Sequence, residues 1–321
     1  MQRRDLLLLA ASSALGASAW AQAYPGKPVR LVVPFPPGGP TDMIGRLLSQ
    51  RLSDALGQPV VVDNKPGAGG TVGADIVAKA AADGYTLLYG STSTLAISPS
   101  IYKGLGYDPA KAFAPVALVS IGQQVLVINP SLQINSLKEL VEYARKRPGK
   151  LSYSSAGNGT PGHLGAELLK KLTGMTALHV PYRGGAPALN AAVAGEVDFT
   201  VDVVPTAATF VRAGRVKPLA VLSQRRSEQL PDVPTVKEAG FAEVDADFWS
   251  GLVAPAGTPR EVVARLNSEV RRIASSAAFK SQLAATGATA QDTSSEQFGA
   301  FISQEMDKWA AITRFANVKA D

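Results

Sequence analysis

There is no cysteine in the 321 residues, and there are only two histidines, His163 and His179. The first absence excludes disulfides, thiol nucleophiles and cysteine-ligated metals. The second leaves little for a metal centre: no H-E-x-x-H pair occurs, and no G-x-S-x-G elbow supplies an activated serine. Phosphate loops are missing too. Gly67-Ala68-Gly69-Gly70-Thr71-Val72-Gly73 reads G-x-G-x-x-x-G, not G-x-G-x-x-G, and follows the second strand rather than the first. Neither Gly26-Lys27 nor Gly149-Lys150 is followed by Ser or Thr, so there is no Walker loop. The charge is modestly positive, 32 Lys and Arg against 26 Asp and Glu. Its densest groups, Arg145-Lys146-Arg147 and Arg225-Arg226, have no interleaved aromatics. They read as solvated faces rather than a nucleic-acid stripe, though a basic excess favours anions around a site.

What is present begins with an export pattern. Arg3 and Arg4 precede an apolar run, and Ala21-Gln22-Ala23 is a small-x-small cleavage site. Residues 1–23 are expected to be a signal peptide removed near Ala23, by general secretion or a twin-arginine route. No later stretch reaches the roughly 18 apolar residues of a membrane helix. The mature chain is therefore expected to be soluble.

The remainder alternates strands and helices. Strands are predicted at Val29–Val33, Pro59–Asp63, Tyr85–Tyr89, Pro115–Val119 and Val125–Ile128, then at Leu151–Ser154, Ala177–Val180, Val197–Val203 and Lys217–Leu222. Helices are predicted near 42–56, 72–82, 162–172, 187–194 and 206–213. Ser136-x-x-Glu139 and Thr258-Pro259-Arg260-Glu261 read as capping boxes. From Thr293, the residues Phe298, Phe301, Ile302, Met306, Trp309 and Ile312 trace one helical face, suited to core or domain-bridging packing. Such alternation argues for an α/β protein with parallel sheets flanked by helices. Two such runs and a return segment near Phe248–Val253 suggest two lobes joined by crossing strands. Residues 24–123 plus 247–321 would form the first lobe and residues 124–246 the second.

Five loops share one design, in which a strand ends, a glycine-rich turn follows and a helix begins. They are Pro34–Asp42, Lys65–Thr71, Gly90–Thr94, Ser154–Pro161 and Pro181–Gly185. In parallel α/β sheets such loops sit at the carboxyl ends of the strands, where ligands bind. Glycine lets backbone approach a ligand, and the helix start offers unpaired N–H groups with partial positive charge. Together these make anion sites without a charged side chain, and a carboxylate suits such short loops. Among single residues, Asp42 reads most simply as a helix-start cap. His163 has either a local hydrogen-bonding role or a ligand-side donor role, and His179 reads as structural. Asp202 could hold loop amides or orient a water. Arg183 is either a solvated charge or a carboxylate fork.

Several motifs occur in order: Pro34-Phe35-Pro36-Pro37-Gly38-Gly39-x-x-Asp42, Asn64-Lys65-Pro66-Gly67-Ala68-Gly69-Gly70, Ser155-Ala156-Gly157-x-Gly159-Thr160-x-x-His163-Leu164, Pro181-Tyr182-Arg183-Gly184, Leu230–Thr235 and Leu252–Pro259. Over residues 24–321 they resemble the Bug-type solute receptors of tripartite tricarboxylate transporters. The resemblance implies a type II periplasmic binding-protein fold, two α/β lobes closing over a ligand at the hinge. It implies a periplasmic, monomeric receptor that needs no cofactor, catalyses nothing, and passes a small carboxylate to membrane subunits. By the same match, Phe35, Gly38, Gly39, Gly67, Ala68, Gly69 and Gly70 would hold one carboxyl with ordered waters. Ser155, Gly157, Thr160 and Asp202 would act from the second lobe. Ser91 and Thr92 sit where that family varies, and Phe248 and Trp249 would be apolar walls. A receptor-like sensor for a signalling partner and a nucleotide-dependent enzyme are the alternatives. The missing phosphate motifs count against the enzyme.

Overall fold

The computed structural model describes residues 24–182 and 184–318. The leader expected over residues 1–23, and Arg183, lie outside the described residues. The chain opens with β1 (Val29–Val33), α1 (Pro40–Leu56), β2 (Val60–Asn64), α2 (Thr71–Ala78) and β3 (Thr86–Ser91). The run Val-Arg-Leu-Val-Val has no apolar–polar alternation, as suits a strand covered on both faces. In α1, Ile44, Leu48 and Leu52 recur every fourth residue and bury one face. Gly57 ends that helix in the left-handed region, its N–H reaching the Ser53 carbonyl.

A π-helical turn (Thr92–Ile97) and the short α3 (Ser98–Ile101) lead on to β4 (Phe113–Gly122). The second lobe then runs through β5 (Gln124–Ile128), α4 (Leu137–Lys146), β6 (Ser152–Ser155), α5 (Pro161–Thr173), β7 (Leu178–Pro181), α6 (Gly185–Ala194), β8 (Phe199–Val203), α7 (Val204–Arg212) and β9 (Lys217–Val221). The chain returns as β10 (Phe248–Pro255), α8 (Arg260–Ser275), α9 (Ala277–Ala285), β11 (Ala288–Ala290) and α10 (Ser295–Phe315). No helix among the described residues is long and apolar enough to cross a membrane.

Two sheets result, ordered β11-β4-β10-β3-β1-β2 and β7-β6-β8-β5-β9. Only part of each is parallel, which corrects the expectation of parallel sheets. β1, β2 and β3 run together, as do β6, β7 and β8, but β10 is antiparallel to β3 and β4, and β5 to β8 and β9. β5 and β10, which carry the chain from one lobe into the other, are reversed, as is the short β11 beside β4. A strand entering from the other sheet arrives from the loop end and must run against its neighbours.

The crossings are short and tied together. Gln123 alone separates β4 from β5. The Leu222 amide donates to the Gln124 carbonyl at 2.8 Å, the Ala246 amide to the Leu222 carbonyl at 3.0 Å, and the Gln124 side-chain amide to the Ala246 carbonyl. One apolar cluster runs from Val32, Leu88 and Leu118 through Trp249, Phe298 and Trp309 to Leu126, Tyr153 and Phe199. The predicted aromatic stripe is therefore domain-bridging: α10 packs on β4 and the π-helical turn of one lobe and on α5 of the other.

The two expected capping boxes fare differently. Ser136 Oγ accepts the Glu139 amide at 3.2 Å, but the Glu139 carboxylate takes the Asn135 amide at 2.7 Å instead of that of Ser136. At 258–261 there is no box, because α8 starts after Pro259 with no side-chain cap; the Thr258 hydroxyl donates to the Pro255 carbonyl at 2.7 Å. The complete box is Ser294 with Gln297, at the start of α10.

Candidate functional site

A cavity of about 340 Å³ lies where the crossings meet the loop ends of both sheets. The first lobe lines it with Phe35, with Pro40, Thr41 and Ile44 from the start of α1, and with Ser91, Thr92 and Ser93 after β3. The second lobe contributes Ala156, Thr160–Gly162 at the start of α5, and Val201–Val203 at the end of β8. Gln124 and Phe248–Ser250 come from the crossing segments. A side cavity of about 120 Å³ shares Phe35, Ser93 and Thr160 and is also lined by Gly69, Ser98, Tyr102 and Asn158. Larger open depressions of about 760, 590 and 500 Å³ lie elsewhere; the first two contain none of the glycine-loop residues singled out above, and the third is bordered by Asn158 and His163.

Of the expected site residues, Phe35, Ser91, Thr92, Thr160, Asp202 and Phe248 line the main cavity, and Gly69 lines the smaller one. Gly38, Gly39, Asp42, Gly67, Ala68, Gly70, Ser155, Gly157 and His163 line neither, and they act on the loops that do.

On the first-lobe side, Asp42 is 2% exposed and fully engaged. Its Oδ2 accepts the Gly38 amide and Arg46 Nε, both at 2.9 Å, and its Oδ1 accepts Asn64 Nδ2 at 2.9 Å. Asn64 Nδ2 also donates to the Phe35 carbonyl at 3.0 Å. Burial alone would raise the Asp42 pKa, but the hydrogen bonds from Arg46, Gly38 and Asn64 outweigh it and hold the carboxyl below its usual range. Asp42 therefore clamps the loop ahead of α1; the residue in the capping position is Gly39, which has no side chain to cap with. Gly70, which precedes α2, is likewise uncapped by a side chain. Gly70 has φ +96°, and a Cβ there would fall 2.3 Å from Thr94 Oγ1, so the second glycine loop is seated directly on the π-helical turn. Ser98 Oγ adds a bond to the Gly69 carbonyl at 3.2 Å.

The second-lobe loop is held by side chains. Thr160 Oγ1 accepts the His163 amide at 3.4 Å and donates to the Gly157 carbonyl at 2.8 Å. Ser155 Oγ accepts the Gly157 amide at 3.2 Å and pairs with His179 Nε2 at 2.7 Å. His163 Nδ1 accepts the Gly159 amide at 3.0 Å. The two imidazoles stack 3.9 Å apart and 8° from parallel. Burial lowers both pKa values to about 4, with nearby Lys170 adding to the effect, so both rings are neutral at pH 7. His163 borders an outer depression beside Glu167 and Lys170.

Across the crossings, Thr92 Oγ1 accepts the Trp249 amide at 2.7 Å and donates back to the Trp249 carbonyl at 3.3 Å. Glu305 Oε2 accepts the indole N–H groups of Trp249 and Trp309, each at 2.8 Å. Trp249 lies T-shaped against Phe298 and Phe301. This wall is anchored from α10 behind it. Sequence reasoning passed over Thr41, Ser93, Gln124, Tyr102 and Asn158. Asn158 and Ser93 lay inside loops already marked. Gln124 carried a signal of its own, a polar residue opening an otherwise apolar strand.

Three comparisons relate the chain to known proteins. A family model described as "Tripartite tricarboxylate transporter family receptor" matches residues 44–318. The protein BugT of Bordetella pertussis is 38% identical over 310 residues, covering 96% of this chain and 95% of its own. An R. palustris protein solved with adipate superposes with TM-score 0.79 at 37% identity, covering 92% of this chain and 99% of its own. MatC from Rhodopseudomonas palustris, solved with bound malate, does so with TM-score 0.75 at 34% identity, covering 90% and 99%. The resemblance, and with it the two-lobed binding-protein fold, is borne out.

Proposed function

The chain belongs to the tripartite tricarboxylate transporter receptor family, a family of solute receptors and not of enzymes, and on that premise we propose that it captures a small carboxylate in the periplasm and delivers it to the membrane subunits of such a transporter. The observation that carries this reading is the make-up of the cleft. It faces the starts of α1 and α5 and three consecutive hydroxyl residues, Ser91, Thr92 and Ser93. Neither Lys nor Arg occurs among the described residues that line it. An anion there would be read by backbone amides at the uncapped helix start and by hydroxyls, which suits one carboxyl group better than a polyphosphate. The adipate and malate held by related structures support the same ligand class.

The lobes would close as two bodies about Gln123 and the 246–248 segment. A ligand touching both sides stabilises the closed form because only that form offers both sets of contacts. Phe35, Gly38, Gly39 and Gly67–Gly70 would form the first-lobe half of the site, and Ser155, Gly157, Thr160 and Asp202 the second. Residues 1–23 would direct export and be removed, and the receptor would act as a monomer. A thermal-shift screen of mono- and dicarboxylates against residues 24–321 tests the reading. Stabilisation by at least one carboxylate, weakened in Thr160→Val, is expected. Stabilisation by nucleotides and by no carboxylate would overturn it.

A further inference from the structure

Asp202 closes β8 at the second-lobe wall of the cleft and is 8% exposed, yet only one of its carboxylate oxygens has a donor. Oδ1 accepts the Val203 amide at 2.7 Å, while Oδ2 is buried with no hydrogen-bond partner among the described residues. Buried polar atoms in folded proteins are nearly always paired, and an unpaired carboxylate oxygen is among the costliest exceptions. The room beside it depends on one residue. Gly185 opens α6 there, and a Cβ at that position would stand 2.5 Å from Oδ2 and 2.9 Å from Oδ1. A chain that needed Asp202 only to hold the Val203 amide would have no use for a second, unsatisfied oxygen at a ligand wall. Asn or Thr could do that work without the charge.

We propose that Asp202 reads a hydrogen-bond donor on the ligand, so that the cleft selects carboxylates carrying a hydroxyl or ammonium group at the end that reaches the second lobe. This deepens the carboxylate reading and rests on it. The two walls then divide the labour. The first lobe offers donors to the carboxylate end, and Asp202 offers an acceptor to the other. The remaining lining near Asp202 is apolar or neutral: Val201, Val203, Ala156 and Phe248. Burial pushes the Asp202 carboxyl up to about 6, partly offset by the Val203 amide, so at pH 7.5 it is ionised and acts as an acceptor. A dicarboxylate would put its second anionic end against that oxygen, and a plain monocarboxylate would leave the oxygen unpaired.

The experiment is calorimetric titration at pH 7.5 of residues 24–321 with the unsubstituted, ω-hydroxy, ω-amino and dicarboxylic members of the four- and six-carbon acids. In at least one length, the hydroxy or amino acid should bind about tenfold or more tightly than the unsubstituted acid and the diacid, the range expected for a hydrogen bond to a charged group. Asp202→Asn should remove most of an ω-amino preference while costing an ω-hydroxy ligand only a few-fold, which tells the two donors apart. Should that variant fail to fold, Gly185→Ala serves, because its methyl crowds the same oxygen and should lower the donor preference in the same direction. Equal binding of acids with and without a donor, or a diacid binding best, overturns the role of Asp202 and leaves the carboxylate reading intact. No binding by any member takes both readings down.

Discussion

Gly39 and Gly70 begin α1 and α2 in the first lobe with no side-chain cap, whereas Thr160 begins α5 in the second with its hydroxyl bonded to both the Gly157 carbonyl and the His163 amide. The two sides of the cleft are built from the same strand–loop–helix unit but keep their loops in place differently. The first lobe shapes its glycine loops by backbone fit, by the buried Asp42 carboxylate acting from behind, and by single bonds from Asn64 and Ser98 to loop carbonyls. The second lobe spends side chains on its loop: Ser155, Thr160, His163 and His179. Helix starts with no side-chain cap are found on both sides, at Gly39 and Gly70 in the first lobe and at Gly184, ahead of α6, in the second. The lesson is that one motif supplies an anion site only where nothing in its own sequence has already taken the donors.

The largest test of this contrast is steric. Gly70→Val puts a branched side chain at φ +96° and against Thr94, and should cost about 3–5 kcal/mol in urea unfolding from strain and overpacking combined. Gly157→Ala, at φ +131° with its nearest neighbour the Tyr182 carbonyl 3.4 Å away, should cost about 1–2 kcal/mol, from backbone strain alone. Equal losses would erase the distinction between a loop held by fit and a loop held by side chains.

A pH titration separates the same regions. His163 and His179 fall from 6.5 to about 4 on folding, so between those values the unfolded chain takes up protons that the fold refuses. Their contribution is whole above pH 6.5 and is lost as pH falls toward 4. His179→Asn should shrink that acid loss by about 2 kcal/mol, measured as the change in unfolding free energy between pH 7 and pH 4.5. Asp247, beside the return crossing, has the opposite sign. Burial first, and Asp245 next, push it up to about 7, against Ser223, Arg225 and Lys308. A raised carboxyl favours the fold below pH 3.8 and loses that advantage as pH rises through 7. Asp247→Asn should therefore stabilise the protein at pH 8 relative to pH 5 by about 2 kcal/mol. The smallest effect belongs to Thr160→Val, which should lose about 1 kcal/mol as a helix cap while leaving the first-lobe loops unmoved.

Much of the scaffold was legible because it rests on local rules. Val29–Val33 needed only its β-rich run, apolar but for Arg30, and the end of α1 only Gly57. The misses share another origin. Thr258 looked like a cap, but α8 starts one residue later, after Pro259, and the Thr258 hydroxyl only donates to the Pro255 carbonyl. The direction of β10 depends on which sheet the chain has just left, and no short window of sequence holds that information. In the site, the loops were found by composition. The division between residues that line the cavity and residues that brace it follows from pairings such as Asp42 with Gly38 and His163 with Gly159. Glu305 left no mark in the aromatic stripe around it, because its partners are indole N–H groups brought together by the fold.

That carboxylate has an optical consequence. Trp20, Trp249 and Trp309 are the only tryptophans in the chain, and a receptor released from its expected leader retains two of them. Both indoles hang on Glu305, one forming part of the cleft and the other buried behind it. Tryptophan emission from the mature protein would then come from a single linked pair, and red-edge excitation would leave the eight tyrosines dark. A ligand in the proposed cleft would change the surroundings of one member while the other would stay in the same apolar packing. The receptor thus carries its own unlabelled gauge of occupancy, and an excitation at the red edge of indole absorption is enough to read it.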